Sequence, residues 1–250
     1  MPIKVTNITI QSPEAPVRSD SFLDSIARHW LAWFTAMTGI WVMLPWLAPM
    51  LMHAGATWPA YLIYLLYSPQ CHQLPQRSYF LFGDRLMVPL ADILAVTGPG
   101  DPLELRWFVG SPALGWKVAW SDRMVSLYTP LFLGAAAYAI CGRRWHSPRW
   151  RWAQLLPYLP LLIDGLSHLV DDTFRLGIRA DNAWLAAVTG NLFPQTFYMG
   201  DALGSFNWWA RLLTGLSASA AFVRQVYPLL DRGFASLAWH ERPIQDVRSE

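Results

Sequence analysis

The stretch LAWFTAMTGIWVMLPWLAPMLM, residues 31–52, decides the fold because it is a long apolar run without a charged side chain. A helix needs about 20 such residues to cross the hydrocarbon core of a bilayer. The run is longer than the apolar core of a cleaved signal peptide, and residues 1–27 before it are polar and of mixed charge. It therefore predicts a first transmembrane helix, which Pro45 and Pro49 would bend.

The composition extends this prediction to the whole chain. Apolar residues make up 54% of the sequence and charged residues only 14%, against roughly a quarter charged in an ordinary soluble domain. The 15 tryptophans suit the bilayer interface, where an indole ring meets apolar and polar surroundings together. These values indicate an integral membrane protein rather than a soluble enzyme.

Three further apolar stretches are long enough to cross a membrane, at residues 124–141, 153–170 and 208–230. We therefore expect an all-α fold, a polytopic membrane helix bundle of about four transmembrane helices with short interfacial helices on the outer side. Residues 28–232 would form a single membrane domain between a polar N-terminal tail, 1–27, and a polar C-terminal tail, 233–250.

Shorter apolar stretches are expected to lie at the membrane surface. Residues 58–67 are too short to cross and predict an interfacial or re-entrant helix, whereas residues 86–98 predict an amphipathic helix on the outer surface. Residues 183–199, interrupted by Pro194, are either a re-entrant segment or a fifth span.

Arginine placement predicts the orientation. Short loops rich in Arg and Lys stay in the cytoplasm, and the loop between the second and third spans carries four arginines and no acid, namely Arg143, Arg144, Arg149 and Arg151. Four spans place this loop and both termini in the cytoplasm of a plasma-membrane protein. A fifth span would move Arg224 and Arg232 outside, which disfavours it.

In this topology the polar residues that interrupt the apolar segments converge at the outer face, where residues 55–122 form a large external segment. Asp164 and His168 lie one helical turn apart, and so do Asn207 and Arg211. An aspartate within an apolar span is costly unless it is paired or functional. We expect Arg123 or Arg211 to be the partner of Asp164.

Four short elements resemble those of an uncharacterised family of prokaryotic multi-pass membrane proteins, a domain of unknown function, over roughly residues 55–230. The matching elements are Cys71-His72-Gln73 with Arg77-Ser78, Asp164-Gly165, and Asn207 with Arg211 and Thr214-Gly215. In a fourth element Arg123 and Tyr128 match, while Ser121 and Met124 stand where the family has cysteines. The resemblance implies a shared fold and site, and no activity.

The two cysteines disfavour disulfide exchange. Cys71 is expected outside and Cys141 at the inner end of the second span, about one bilayer apart. A disulfide needs Cα atoms within about 7 Å of each other. These cysteines therefore cannot pair within one monomer.

The external cluster has three interpretations, of which the first two involve a ligand. Cys71, His72, Asp164 and His168 offer donors that zinc or another divalent metal accepts. Alternatively, Arg77, Arg123 and Arg211 could bind a phosphate or carboxylate, such as an anionic lipid headgroup or an isoprenoid phosphate. If chemistry followed, His72 or His168 would be the general base and Asp164 its orienting partner.

The third interpretation is a structural network of ion pairs without a ligand, with small residues such as Gly215 allowing the helices to approach closely. The favoured function is a membrane protein of unassigned activity whose external polar site binds a ligand, an ion or a partner subunit. Its ligand-binding or ion-pair candidates are Arg77, Arg123, Asp164, Asn207 and Arg211. The alternative is a membrane enzyme that acts on a phosphorylated lipid or uses a metal ion.

Tryptophans and arginines also interleave on the inner side, at Trp145, Trp150 and Trp152. This pattern fits contact with anionic lipids at the membrane surface. No nucleic-acid partner is therefore expected.

Overall fold

The computed structural model describes residues 22–101, 104–146 and 151–240. The polar tails up to residue 21 and from residue 241 lie outside the described residues, and so does Arg149 of the basic loop.

Helices dominate the described chain. The first four are α1 (Phe22–Arg28), α2 (Trp30–His53), α3 (Thr57–Tyr67) and α4 (Leu90–Thr97). The next four are α5 (Asp122–Ile140), α6 (Arg151–Leu155), α7 (Leu159–Phe174) and α8 (Ile178–Asp181). The last three are α9 (Ala183–Thr189), α10 (Gln195–Tyr198) and α11 (Phe206–His240). Short 3-10 turns lie at Pro75–Arg77, Glu104–Trp107 and Leu156–Tyr158.

Every predicted span is helical, but only the first has the length and composition of a transmembrane helix. In the part of the chain that the structure describes, α2 alone meets both requirements, and only 22% of its apolar window is buried inside the protein. The predicted span 153–170 is divided by a 3-10 turn that contains Pro157, because proline cannot donate a backbone hydrogen bond. The predicted span 208–230 lies within α11, which continues to His240 and so includes the start of the predicted C-terminal tail.

The expectation of an all-α fold is wrong in one respect, since the external segment contains a small antiparallel sheet. Its strands are β1 (Ser78–Leu81), β2 (Gly110–Ser111) and β3 (Gly115–Ser121), in the order β1-β3-β2. The register pairs Ser78 with Ser121 and Phe80 with Lys117. Aromatic and β-branched side chains in SYFL and GWKVAWS favour strands. Gly115 allows β3 to approach β1 closely, because a Cβ at this position would lie 2.5 Å from the Leu81 carbonyl oxygen.

The shorter apolar stretches are helical at least in part. Residues 58–67 lie within α3, and residues 86–98 contain α4. Residues 183–199 contain α9 of seven residues and α10 of four, so no continuous fifth span forms there.

Three apolar cores lie in the described chain, and two of them involve the long helix α2. One lies between α2, α3 and β3 and includes Trp120 and Tyr67, whose rings meet edge to face with centroids 5.3 Å apart. The other joins α2, α5 and α11 through Trp30, Tyr138 and Tyr227. Because β3 runs directly into α5, the sheet is anchored at the end of the helix bundle where the polar residues gather.

Candidate functional site

A cluster of paired arginines and aspartates lies where the sheet meets the helices, and we call it the ion-pair cluster. It consists of Arg77, Arg123, Arg179, Arg211, Asp122, Asp164, Asp172 and Asp201. Four arginines face four aspartates, so the formal charges cancel. This balance is the main electrostatic property of the site.

Arg211 occupies the centre of the cluster and is 1% exposed. Its Nε donates to both carboxylate oxygens of Asp122, at 2.8 and 2.9 Å. Its Nη1 donates to Asp201 Oδ1 at 2.5 Å, and its Nη2 donates to the Asp201 carbonyl at 3.2 Å. Arg211 therefore joins α11 to the start of α5 and to the loop before α11.

Arg77 extends the cluster to the 3-10 turn before β1. Its Nη1 and Nη2 donate to the two oxygens of Asp172 at 2.7 and 2.8 Å, and its Nε donates to Asp201 Oδ2 at 3.0 Å. Burial alone would favour the neutral acid at Asp201, but Arg77 and Arg211 hold the pKa of this carboxyl below its ordinary value. Asp201 is therefore ionised and shared by two arginines.

Asp164 accepts hydrogen bonds from two arginines. Arg123 Nη2 donates to Asp164 Oδ2 at 2.7 Å, and Arg179 Nη2 donates to Asp164 Oδ1. Of the two expected partners, Arg123 contacts Asp164, whereas Arg211 pairs with other aspartates. His168 Nε2 lies 3.9 Å from Asp164 Oδ1, and neither ring nitrogen has a hydrogen-bond partner within the described ranges.

Asn207 is buried beside the cluster and bonds to backbone carbonyls rather than to charged side chains. Its Nδ2 donates to the carbonyls of Arg179 and Gly200 at 2.6 and 2.9 Å. These bonds fix the loop between α8 and α11, which carries Asp201.

Cys71 and His72 are adjacent, but their surroundings differ. Cys71 is buried, its Sγ donates to Ser121 Oγ at 3.4 Å, and it accepts from the Gln73 backbone N–H at 3.3 Å. His72 is exposed. Across residues 22–101, 104–146 and 151–240, no group of three or more His, Cys, Asp or Glu side chains could hold a metal ion. The four metal candidates are therefore not brought together.

Lys117 was not a predicted site residue, yet it is fully buried in β3. Its Nζ donates to the carbonyls of Gln73 and Arg106 at 2.8 and 2.6 Å. Burial lowers the pKa of this ammonium to about 7, with Cys71 opposing the shift and Arg106 adding to it. Lys117 therefore links the Cys-His-Gln turn to the sheet.

Two cavities border the ion-pair cluster. One of about 200 Å³ lies against Cys71, His72 and Arg123. The other, of about 870 Å³, is lined by Gln76, Arg77, Arg179 and Asp201 together with apolar side chains. We call the larger one the amphipathic cavity, and its volume lies within the range of small-molecule sites, about 300–1,000 Å³.

Sequence reasoning missed Arg179 and Asp201, and it also did not identify Asp122, Asp172 or Gln76 as site residues. A visible signal existed for the first two, because residues 171–206 mix arginines with aspartates in a segment expected outside. Gln76 carried no such signal, since only the fold places it on a cavity wall.

Comparison with known proteins yields one distant relative. The chain is 24% identical over 162 residues to the uncharacterised protein MJ1492 of Methanocaldococcus jannaschii, covering 61% of this chain and 79% of that protein. No family model matches the chain, and no solved structure matches it. The chain is thus similar to an uncharacterised protein, in agreement with the uncharacterised family that its sequence resembles.

Proposed function

We propose that this chain is a multi-pass plasma-membrane protein that binds a small amphiphile in the amphipathic cavity, at the outer face of the bilayer. Four membrane crossings would be made by α2, α5, the α6–α7 segment and α11, with both termini in the cytoplasm. The ion-pair cluster would form the rigid polar wall of the ligand site.

Exposed apolar side chains on these helices support a membrane location. Met37 on α2 is 69% exposed, Ile163 on α7 is 60% exposed and Leu213 on α11 is 56% exposed. Soluble monomers rarely expose large contiguous apolar surfaces. Contact with lipid would cover these side chains.

The distance between the polar groups at the two ends of α5 also fits the thickness of a bilayer. The ion-pair cluster lies at the start of α5, whereas a second polar group, Asp231 with Tyr138 and Arg143, lies at its end. The 19 residues of α5 span about 28 Å at 1.5 Å per residue, close to the roughly 30 Å hydrocarbon core.

The topology predicts opposite accessibility for two positions. With Cys71→Ser, Cys141 is the sole cysteine and is exposed, and we expect a membrane-impermeant maleimide to label it in inside-out vesicles alone. With both cysteines changed to serine and His72→Cys added, we expect labelling in right-side-out vesicles alone. Labelling of both positions from the same side would contradict the proposed topology.

The observation that carries ligand binding is the amphipathic cavity itself. Its wall combines charged side chains with apolar ones such as Leu90 and Met199, and both arginines of the wall are paired with carboxylates. Since the arginines are held by carboxylates, they are oriented before any ligand arrives. A preorganised polar group beside an apolar wall suits a molecule with a polar head and a hydrocarbon tail.

Blocking the cavity is expected to abolish amphiphile binding. Ala180 lines the cavity and is exposed, so Ala180→Trp should fill the space without disturbing the core. The control is Ala187→Trp, at an exposed position of α9 that is absent from the cavity wall. We expect at least one of oleic acid, monoolein, oleoyl lysophosphatidate and oleylamine to raise the unfolding temperature of detergent-purified wild type and the control, but not of Ala180→Trp.

If none of the four compounds stabilises the wild type, or if stabilisation persists in folded Ala180→Trp, the cavity is not a ligand site.

A further inference from the structure

Gln76 lines the amphipathic cavity, and its buried amide oxygen makes no hydrogen bond within the described chain that would explain a polar residue at this position. It lies in the 3-10 turn Pro75–Arg77, lines the cavity and is only 6% exposed. Its Oε1 is buried without a hydrogen-bond partner in the described chain. Buried side-chain amides are ordinarily hydrogen-bonded, because an unpaired one loses its interactions with water.

Rotation about the last side-chain torsion of Gln76 can turn either its oxygen or its nitrogen toward the cavity, since this torsion has a broad, two-fold preference. The amide can therefore either accept a hydrogen bond from a bound molecule or donate one to it.

Arg179 lines the same cavity and also has an unused polar atom. Its Nη2 donates to Asp164, and its guanidinium carbon lies 5.4 Å from the centre of the Phe206 ring. These contacts hold the guanidinium in place, while its Nε–H is buried and finds no acceptor among residues that the structure describes. A ligand head that accepts a hydrogen bond would satisfy it.

The formal charge of the wall disfavours an anionic head. Arg77 and Arg179 contribute two positive charges, and Asp171, Asp172 and Asp201 contribute three negative charges. Both arginines are already paired with carboxylates. The net formal charge of the wall is thus slightly negative. A phosphate head would meet only arginines that already have a carboxylate partner.

We propose that the ligand is an uncharged amphiphile whose head carries hydroxyl or amide groups, recognised by Gln76 and Arg179. This inference rests on the proposed function. An ammonium group only donates hydrogen bonds and an ionised phosphate only accepts them, whereas a hydroxyl or amide does both. The head therefore satisfies the unpaired acceptor and the unpaired donor together, while its hydrocarbon chain lies along the apolar wall.

Three probes with the same 18-carbon chain test this proposal. Monoolein has a hydroxyl head, oleoyl lysophosphatidate adds a phosphate to it, and oleylamine has an ammonium. We expect detergent-purified full-length wild type to bind monoolein most tightly. Gln76→Leu should weaken monoolein binding about tenfold, as expected for loss of a buried hydrogen bond, with little effect on the other two dissociation constants.

Thermal unfolding of the lipid-free protein distinguishes a role of Gln76 in ligand recognition from a role in folding. Because the buried Oε1 of Gln76 has no hydrogen-bond partner among the described residues, Gln76→Leu should unfold at the wild-type temperature or above it. Unchanged monoolein affinity in folded Gln76→Leu would overturn the proposal. So would a destabilised Gln76→Leu, because it would show that the amide is needed for folding.

The probes also distinguish two claims, that the cavity is a ligand site and that its ligand is uncharged. If lysophosphatidate or oleylamine binds more tightly than monoolein and Ala180→Trp abolishes this binding, the cavity remains a ligand site but the uncharged class is wrong. If neither these probes nor oleic acid bind in a manner that depends on Ala180, both the proposed ligand site and the uncharged ligand class are wrong.

Discussion

Replacing Arg211 by methionine is expected to lower the free energy of unfolding by about 3–5 kcal/mol, because it leaves buried carboxylates without their partner. Among the hydrogen bonds of the described residues, Asp122, which is 2% exposed, would keep that from the Arg123 backbone N–H at 2.7 Å. Asp201 would keep its ion pair with Arg77. Methionine fills a similar volume, so the loss would report the unpaired charges rather than a cavity.

Arg85 provides the matched control, since its Nη1 lies 2.6 Å from Asp92 Oδ2 but its side chain is 63% exposed. Arg85→Met should change stability by less than about 1 kcal/mol. Chemical denaturation of both variants in one detergent compares them directly. If Arg211→Met unfolded at the same denaturant concentration as Arg85→Met, the ion-pair cluster would not hold these helices together.

A second substitution tests whether unpaired charge is the cause. Asp122→Asn removes the negative charge that Arg211→Met leaves unpaired. The double variant should therefore be less destabilised than the sum of the single variants. Strict additivity would show that Arg211 and Asp122 do not stabilise one another.

Sequence patterns predicted the helices well, because helix formation and lipid exposure depend on local apolar composition. The run 31–52 corresponds to α2, and 124–141 corresponds to α5. The sheet was missed because β1 and β3 are far apart in the chain, and their pairing depends on contacts that no local pattern records. Within a membrane protein, short strands rich in aromatic residues also resemble interfacial apolar segments.

The ion-pair cluster was predicted only in part, because some of its members lie where no local sequence pattern indicates the position of a side chain. Helical spacing suggested that Asp164 and Arg211 face the outer end, and Arg123 was identified as a partner of Asp164. Arg179 and Asp201 lie in a segment of short helices and loops, where no periodicity indicates direction. Cys71 and His72 were both candidate metal ligands, yet one is buried and the other exposed.

Close packing of α5 against α11 explains why a small change at Gly215 should have a large effect. A Cβ at this position would lie 2.1 Å from Ser126 Oγ and 3.0 Å from Ser126 Cβ. That hydroxyl hydrogen-bonds the carbonyls of Arg123 and Arg211 at 2.9 and 3.1 Å. To admit a methyl group, the hydroxyl must rotate away from these carbonyls and the two helices must separate slightly.

Gly215→Ala is therefore expected to destabilise the protein by about 1–3 kcal/mol, the usual cost of overpacking, although alanine favours a helix over glycine by about 1 kcal/mol. Gly233, also on α11, is the control because a Cβ there would meet nothing within 4 Å among the described residues. Gly233→Ala should be neutral or stabilising. Thermal unfolding in the same detergent compares two identical substitutions in one helix. Only Gly215→Ala is expected to lower the unfolding temperature, because of these two glycines only Gly215 lies against α5. Equal shifts at both positions would contradict the close packing of α5 against α11 at Gly215.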